Sequence, residues 1–281
     1  MIREREIAGC NIHYRFYTLE DFFSHQERLG IRRVDLFGAT PHVWIDAYSA
    51  TDGRKIRSRM EDYGLEPGVF IPEFSSMRYT LGSEGESERK TWEYIRRCFH
   101  FARELGTGRV VISASGFLLD QDETERSGRL EKALGRLGRL AGEYGLTLCL
   151  LNHYADCTDM VRSMEDMKRC LEICGSVPVF PAVDTASVYE AGEKLEDWLE
   201  CFGEKLTYVN LSNTKFDGSR HYWGDGYLNL RAIMEILEEF RYGGAIGTSY
   251  MLRDYLAKPW EADERTREML GWACGQKAGM T

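Results

Sequence analysis

An apolar run, Val177-Pro-Val-Phe-Pro-Ala-Val, ends in Asp184, and the small residues Thr185, Ala186 and Ser187 follow it. A carboxylate at the carboxyl end of a hydrophobic strand is placed to bind a metal ion or to move a proton. Burying such a charge without a partner is costly, and the candidate partners are His153, Asn210, Asn213 and Lys215. His153 closes a second apolar run, Leu148-Cys-Leu-Leu-Asn-His. Residues two apart on a strand share a face, so His153 and Leu151 point the same way. An imidazole titrates near neutrality, which makes His153 a candidate general base or acid; the alternative is a histidine fixed by hydrogen bonds in the loop. His42, after Pro41, is a candidate substrate contact or a cap on the next helix. His13 ends the first strand-like run and is expected as a satisfied core histidine, and His25 and His100 fall in helices.

Aromatic residues near the ends of strand-like runs include Phe16, Phe37, Trp44, Phe117, Tyr154, Trp223 and Tyr250. Sugar rings present apolar CH faces that stack on such side chains, while their hydroxyls need a few fixed polar groups. Phe117 and Trp223 are the aromatic substrate contacts expected here, and burial in the core is the competing role for any of them.

These residues must be held by regular elements, and the chain supplies them in alternation. Strand-like runs fall near Ile7–His13, Arg33–Phe37, Glu66–Ile71, Arg109–Ser113, Leu146–Asn152, Val177–Asp184, Leu206–Leu211 and Gly244–Tyr250. Helix-period faces lie between them: Trp92, Ile95, Phe99 and Ala102; Met164, Met167, Leu171 and Cys174; Leu195, Trp198, Leu199 and Phe202. Leu230, Ile233, Leu237 and Phe240 form a further face with Asn229 as its N-cap, and a last helix follows Pro259. Glycines 30, 64, 106, 145 and 175 mark helix-to-strand connections. Such βα units in series fit a single (β/α)8 barrel spanning residues 1–281 as one domain, and no phosphate-loop glycine pattern favours an open doubly wound sheet.

Composition narrows the function classes. The 281 residues carry 36 Lys and Arg against 45 Asp and Glu, a net charge of −9 that disfavours nucleic acid as a partner. No apolar stretch is long enough to span a membrane and the charged start of the chain lacks a signal pattern, so a cytoplasmic protein is expected. Eight dispersed cysteines without Cys-x-x-Cys are expected as reduced thiols, with Cys170 and Cys174 neighbours on one helix face.

Several local patterns, in order along the chain, resemble the xylose isomerase-like barrels, sugar isomerases and epimerases of the fructoselysine and tagatose 3-epimerase type. They are Val34-Asp-Leu-Phe-Gly-Ala-Thr-Pro-His42, Ile112-Ser-Ala-Ser-Gly116, Leu148-Cys-Leu-Leu-Asn-His153, Val183-Asp-Thr185, His221-Tyr-Trp-Gly-Asp-Gly226 and Tyr255-Leu-Ala-Lys-Pro259. The resemblance implies a divalent metal held by Glu, Asp, His and Glu at the ends of the last four strands, the glutamates moving protons beside a substrate carbonyl. By position these ligands fall on Leu151, Asp184, Asn210 and either Ser249 or Tyr250, so Asp184 alone is retained. The resemblance thus implies a keto-sugar isomerase or epimerase with altered, metal-independent chemistry, or a non-catalytic barrel that binds a sugar or a partner subunit. On the first reading His153, Asp184, His221 and Tyr250 carry the proton chemistry, and His42, Phe117, Asn210, Arg220 and Trp223 hold substrate. No cofactor is expected; a Mn, Co, Mg or Zn ion returns only if the ligand positions are misassigned. The expected partner is a small carbohydrate, with neither nucleic acid nor membrane, and a homo-oligomer is compatible with the loop aromatics.

Overall fold

The structure, a computed structural model, describes residues 2, 6–45, 51–73, 79–117, 120–153, 160–175, 177–249 and 256–275. The apolar runs form parallel strands that pair in chain order: β1 (Gly9–Cys10), β2 (Arg33–Gly38), β3 (Glu66–Pro72), β4 (Arg109–Ile112), β5 (Thr147–Leu151), β6 (Val179–Asp184) and β7 (Tyr208–Leu211). A short antiparallel hairpin, β8 (Asn213–Thr214) with β9 (Arg220–His221), stands above the sheet, and β10 (Ala245–Thr248) completes it beside β7. Ala8 N–H donates to the Ile246 carbonyl at 2.9 Å and Thr248 N–H to the Ala8 carbonyl at 2.9 Å, which closes the eight-stranded sheet into a (β/α)8 barrel.

Helices α1 (Leu19–Arg28), α2 (Gly53–Asp62), α3 (Gly85–Leu105), α4 (Glu123–Tyr144), α5 (Met164–Cys174), α6 (Thr185–Glu190), α7 (Leu195–Phe202), α8 (Leu230–Glu239) and α9 (Pro259–Gly275) fill the connections. Local chemistry sets their ends. Thr18 with Asp21 and Ser163 with Asp166 form capping boxes on α1 and α5, and Asn229 Oδ1 accepts from Ala232 N–H on α8. Gly106 and Gly145 end α3 and α4 at φ of 87° and 68°, a left-handed turn that favours glycine. The helix faces read from the sequence are the buried ones, Ile95, Phe99 and Ala102 on α3 and Trp198 and Leu199 on α7 among them. A second apolar cluster fills the barrel itself: Val69, Val111, Cys149, Leu151, Ala182 and Tyr208.

Three elements differ from the sequence expectation. The first strand is short, because Asn11–Tyr14 turn into a 3-10 segment that delivers His13 and Tyr14 to Asp263 of α9. That carboxylate also accepts from Gln26 Nε2 at 2.8 Å, so a buried polar cluster ties the last helix to the first turn of the barrel. His13 is therefore a buried core histidine held through Nε2. The helix α6 and the β8–β9 hairpin were not expected; both start from side-chain contacts rather than from periodicity, as described below. Among the described residues the cysteines, Cys170 and Cys174 included, are free thiols, and no helix is long and apolar enough to cross a membrane.

Deeper in the barrel, Asp35 of β2 is buried. Its Oδ1 accepts from Val69 N–H at 2.8 Å and its Oδ2 from the Tyr208 hydroxyl at 2.8 Å. A register irregularity sets Gly68 and Val69 together against Asp35. A Cβ on Gly68 would lie 2.2 Å from Oδ1, and one on Gly247 2.0 Å from Oδ2, so two bare backbones make the carboxylate's room. Burial pushes the Asp35 carboxyl up to about 7.

Candidate functional site

Asp184 sits at the carboxyl end of β6, 4% exposed, and every other group of the site is arranged around it. Its Oδ1 accepts from Ser187 N–H at 2.8 Å and from the Ser187 hydroxyl at 2.9 Å, which makes Asp184 the N-cap of α6. Its Oδ2 accepts from Asn210 Nδ2 at 2.7 Å and from the Ser212 hydroxyl at 2.6 Å. The Asp184 backbone N–H donates to Asn152 Oδ1 at 2.7 Å. On its far side Asn210 Oδ1 accepts from the Ser249 hydroxyl at 3.0 Å. The ends of β6, β7 and β10 are thus joined by a continuous run of side-chain hydrogen bonds.

The hairpin brings the cation. Arg220 of β9 reaches down to α6, where one Nη donates to Glu190 and the other to the Ser187 hydroxyl at 2.9 Å, and its guanidinium lies 3.6 Å from Asp184 Oδ1. Glu190 also accepts from the Thr214 hydroxyl at 3.1 Å, so both strands of the hairpin are anchored on α6. Burial alone would raise the Asp184 carboxyl. Arg220, His153 and the bonds from Ser212 and Ser187 outweigh it and hold that carboxyl below the usual carboxylate range. His153, part-buried, is lowered as well, but here burial itself is the cause. Burial pushes its imidazole below the ordinary histidine value and Arg220 adds to this, while Asp184 draws it partly back. At neutral pH the pair is therefore a carboxylate beside a neutral imidazole. The His153 backbone N–H donates to the Val161 carbonyl at 3.1 Å.

A family model described as a xylose isomerase-like TIM barrel matches residues 24–274. The chain belongs to that family. It is 25% identical over 263 residues to a fructoselysine 3-epimerase of Shigella flexneri, covering 90% of this chain and 93% of the relative. A solved L-ribulose 3-epimerase superposes with a TM-score of 0.79 at 15% identity, covering 95% of this chain and 93% of that one. A D-psicose 3-epimerase solved in the presence of D-fructose gives 0.74 at 14% identity, covering 95% and 98%. The fold is that of the carbohydrate isomerases and epimerases of this family, and the ancestry is enzymatic.

The metal that this family resemblance implies does not fit the residues present. Among the described residues no group of three or more His, Cys, Asp or Glu is placed to hold an ion. Leu151, at the first ligand position, is buried in the inner apolar cluster with Ala182 and Tyr208. Asn210 turns an N–H toward Asp184, and a donor hydrogen offers a cation no lone pair. Ser249 donates into this network at the last ligand position; Tyr250, the alternative there, lies outside the described residues. Three of the positions that would face an ion, Asp184, Asn210 and Ser249, instead face one another at hydrogen-bond distance.

The remaining expected residues divide. Arg220 and Asn210 join Asp184 and His153. His221, on β9, lies 3.3 Å from Asp225 Oδ2 through Nδ1 and is nearly buried. His42 is tied down at both nitrogens, Nε2 to the Tyr17 carbonyl and Nδ1 to Asn11 Nδ2, each at 2.9 Å. In place of the stacking surfaces expected of them, Phe117 and Trp223 are 2% and 1% exposed and packed in the core, and Trp223 Nε1 donates to the Leu211 carbonyl. Of the candidate partners of Asp184, Lys215 pairs with Asp225 at 2.9 Å and Asn213 Oδ1 accepts from Thr214 and Leu228 N–H. Tyr154 is outside the described residues, while Phe16 and Trp44 are exposed. Sequence reasoning missed Ser187, Glu190 and Ser212. A signal was present for two of them: Ser187 stands three after Asp184, the N-cap spacing, and Ser212 stands two after Asn210, on the same strand face.

Proposed function

We propose that this chain acts on a keto-sugar by metal-independent acid–base chemistry at the carboxyl-end mouth of the barrel. The observation that carries the reading is the closed network Ser249–Asn210–Asp184–Ser187–Arg220, which keeps the family's site polar and ordered while replacing its ligand set. His153 is the group suited to move a proton. Its neutral imidazole accepts a proton from the carbon beside the substrate carbonyl and returns it to the same or the neighbouring carbon. Asp184, with each oxygen already taking two hydrogen bonds, acts as a fixed anion that favours the imidazolium rather than as a base. His221 remains in this reading as a second proton-transfer group, with Arg220 and Asn210 orienting the sugar's oxygens; Tyr250, expected alongside it, lies outside the described residues. The carbohydrate specificity of the relatives supports a sugar as the ligand.

A second reading, a barrel that binds a sugar without turning it over, is favoured by Leu151, because an apolar side chain stands where the family's first proton-transfer group falls. Proton exchange separates the two. Deuterium incorporation from D2O into a panel of ketoses, followed by NMR with a chelator present, is expected for the wild type and lost in His153→Gln. Exchange that is absent from the wild type, or unchanged in His153→Gln, removes the catalytic reading.

A further inference from the structure

We infer that a cleft between the first turns of α4 and α5 is a phosphate-binding site, and that it selects the phosphate monoester of a keto-sugar. The cleft has a volume of about 210 Å³ and is lined by Arg126, Arg162 and Arg169 together with Ser127, Glu123 and Asp166. Three guanidinium groups against two carboxylates leave one net positive charge in a chain whose overall charge is −9.

The carboxylates are already committed. Arg169 lies 3.5 Å from Glu123 and 3.1 Å from Asp166, and the other Asp166 oxygen accepts from Ser163 N–H at 3.1 Å and Arg162 N–H at 3.2 Å. The guanidinium groups of Arg126 and Arg162 have no such anion among the described residues, and Arg126 Nε is buried without an acceptor. A buried N–H without an acceptor is costly, and the cost is relieved when an oxyanion enters. Arginine presents a planar fork that matches phosphate oxygens, and the amino-terminal turns of two helices add positive potential at the same place.

The cleft is joined to the proposed catalytic group through one hydrogen bond. The Val161 carbonyl that accepts from His153 N–H belongs to the residue immediately before Arg162. The segment that pairs with the His153 backbone thus runs directly into Arg162, and a sugar carrying a terminal phosphate is the substrate class this inference assigns to the two together. This choice of substrate rests on the function proposed above; the phosphate site itself does not.

The test uses the full chain and inorganic phosphate as the probe, with binding read by calorimetry and folding checked by thermal unfolding. Saturable one-to-one binding is expected in the wild type and in His153→Gln, weakened about tenfold or more in each of Arg126→Met and Arg162→Met. Absence of saturable binding in the wild type, or wild-type affinity in both folded arginine variants, overturns the site. A second arm compares fructose 6-phosphate with fructose. Tighter binding of the ester than of either fructose or inorganic phosphate supports the substrate class, and equal affinity for the ester and inorganic phosphate overturns it. Phosphate binding that persists while no sugar exchanges its protons would sink the catalytic reading and leave the phosphate site standing.

Discussion

Asp184 and Asp35 are both buried carboxylates on the inner face of the same barrel, and their acidities move in opposite directions. Asp184 has two hydrogen bonds on each oxygen and a guanidinium within 3.6 Å, and it stays below the ordinary value of 3.8. Asp35 has one hydrogen bond on each oxygen, and burial carries it up to about 7. Depth is similar; the partners differ. A barrel interior does not by itself decide whether a carboxylate is charged. The number of donors and the nearest cation decide it, and in this chain they are concentrated at the mouth where the family places its chemistry.

The comparison predicts opposite pH signatures. The folded-state pKa of Asp35 lies above its unfolded value, so the stability it contributes is fully present below about pH 4 and is lost as pH rises to about 7. A rise from 3.8 to about 7 corresponds to about 4 kcal/mol between those limits. In Asp35→Asn that loss is expected to vanish, because an amide can accept from Val69 N–H and donate to the Tyr208 oxygen without ionising. Urea unfolding at pH 4, 6 and 8 checks it, and parallel pH profiles for the two proteins would contradict it. Asp184 has the reverse sign: its contribution is present above 3.8 and is lost as pH falls below that value.

Arg220→Met breaks the other half of the comparison by leaving Asp184 and Glu190 together without their cation. Removing one member of a buried pair in this way is expected to cost about 3 kcal/mol in urea unfolding. It also raises the Asp184 carboxyl and the His153 imidazole, since Arg220 lowers both. An NMR titration of His153 that stays in place in the variant would show that Arg220 does not set the electrostatics of the site. The smallest effect is expected from Tyr208→Phe, which removes one of the two donors to Asp35. It should cost about 1 kcal/mol and shift the Asp35 transition to higher pH. A shift to lower pH would mean that the Tyr208 hydroxyl does not stabilise the ionised form.

The sequence made the barrel legible because each strand ends where a polar or small residue interrupts an apolar run and each helix keeps its period. Leu146–Asn152 and Thr147–Leu151 differ only in fraying at the ends. Asp184 was legible for the same reason, as a charge where the pattern predicts none. The first strand was read too long because its apolar pattern runs on through residues that the Asp263 cluster pulls into a turn, a contact spanning about 250 residues. The hairpin carrying Arg220 has no strand-like run at all; it is held by bonds to Glu190 and Asp184, which no local pattern records. Trp223 and Phe117 show the limit of composition: an aromatic at a loop reads alike whether it faces a sugar or the core. Asp35 was part of a matched motif, yet nothing around it announced a buried acid, because the glycines that make its room come from β3 and β10.

The central claim is that the family's ligand positions, one now apolar and three closed on one another, no longer present a cation site. Elemental analysis of the purified chain, before and after incubation with manganese, cobalt and zinc near neutral pH, tests it most directly. The account predicts no stoichiometric metal under any of these conditions, and no change on Asp184→Ala. One equivalent of a divalent ion that disappears in Asp184→Ala would contradict it.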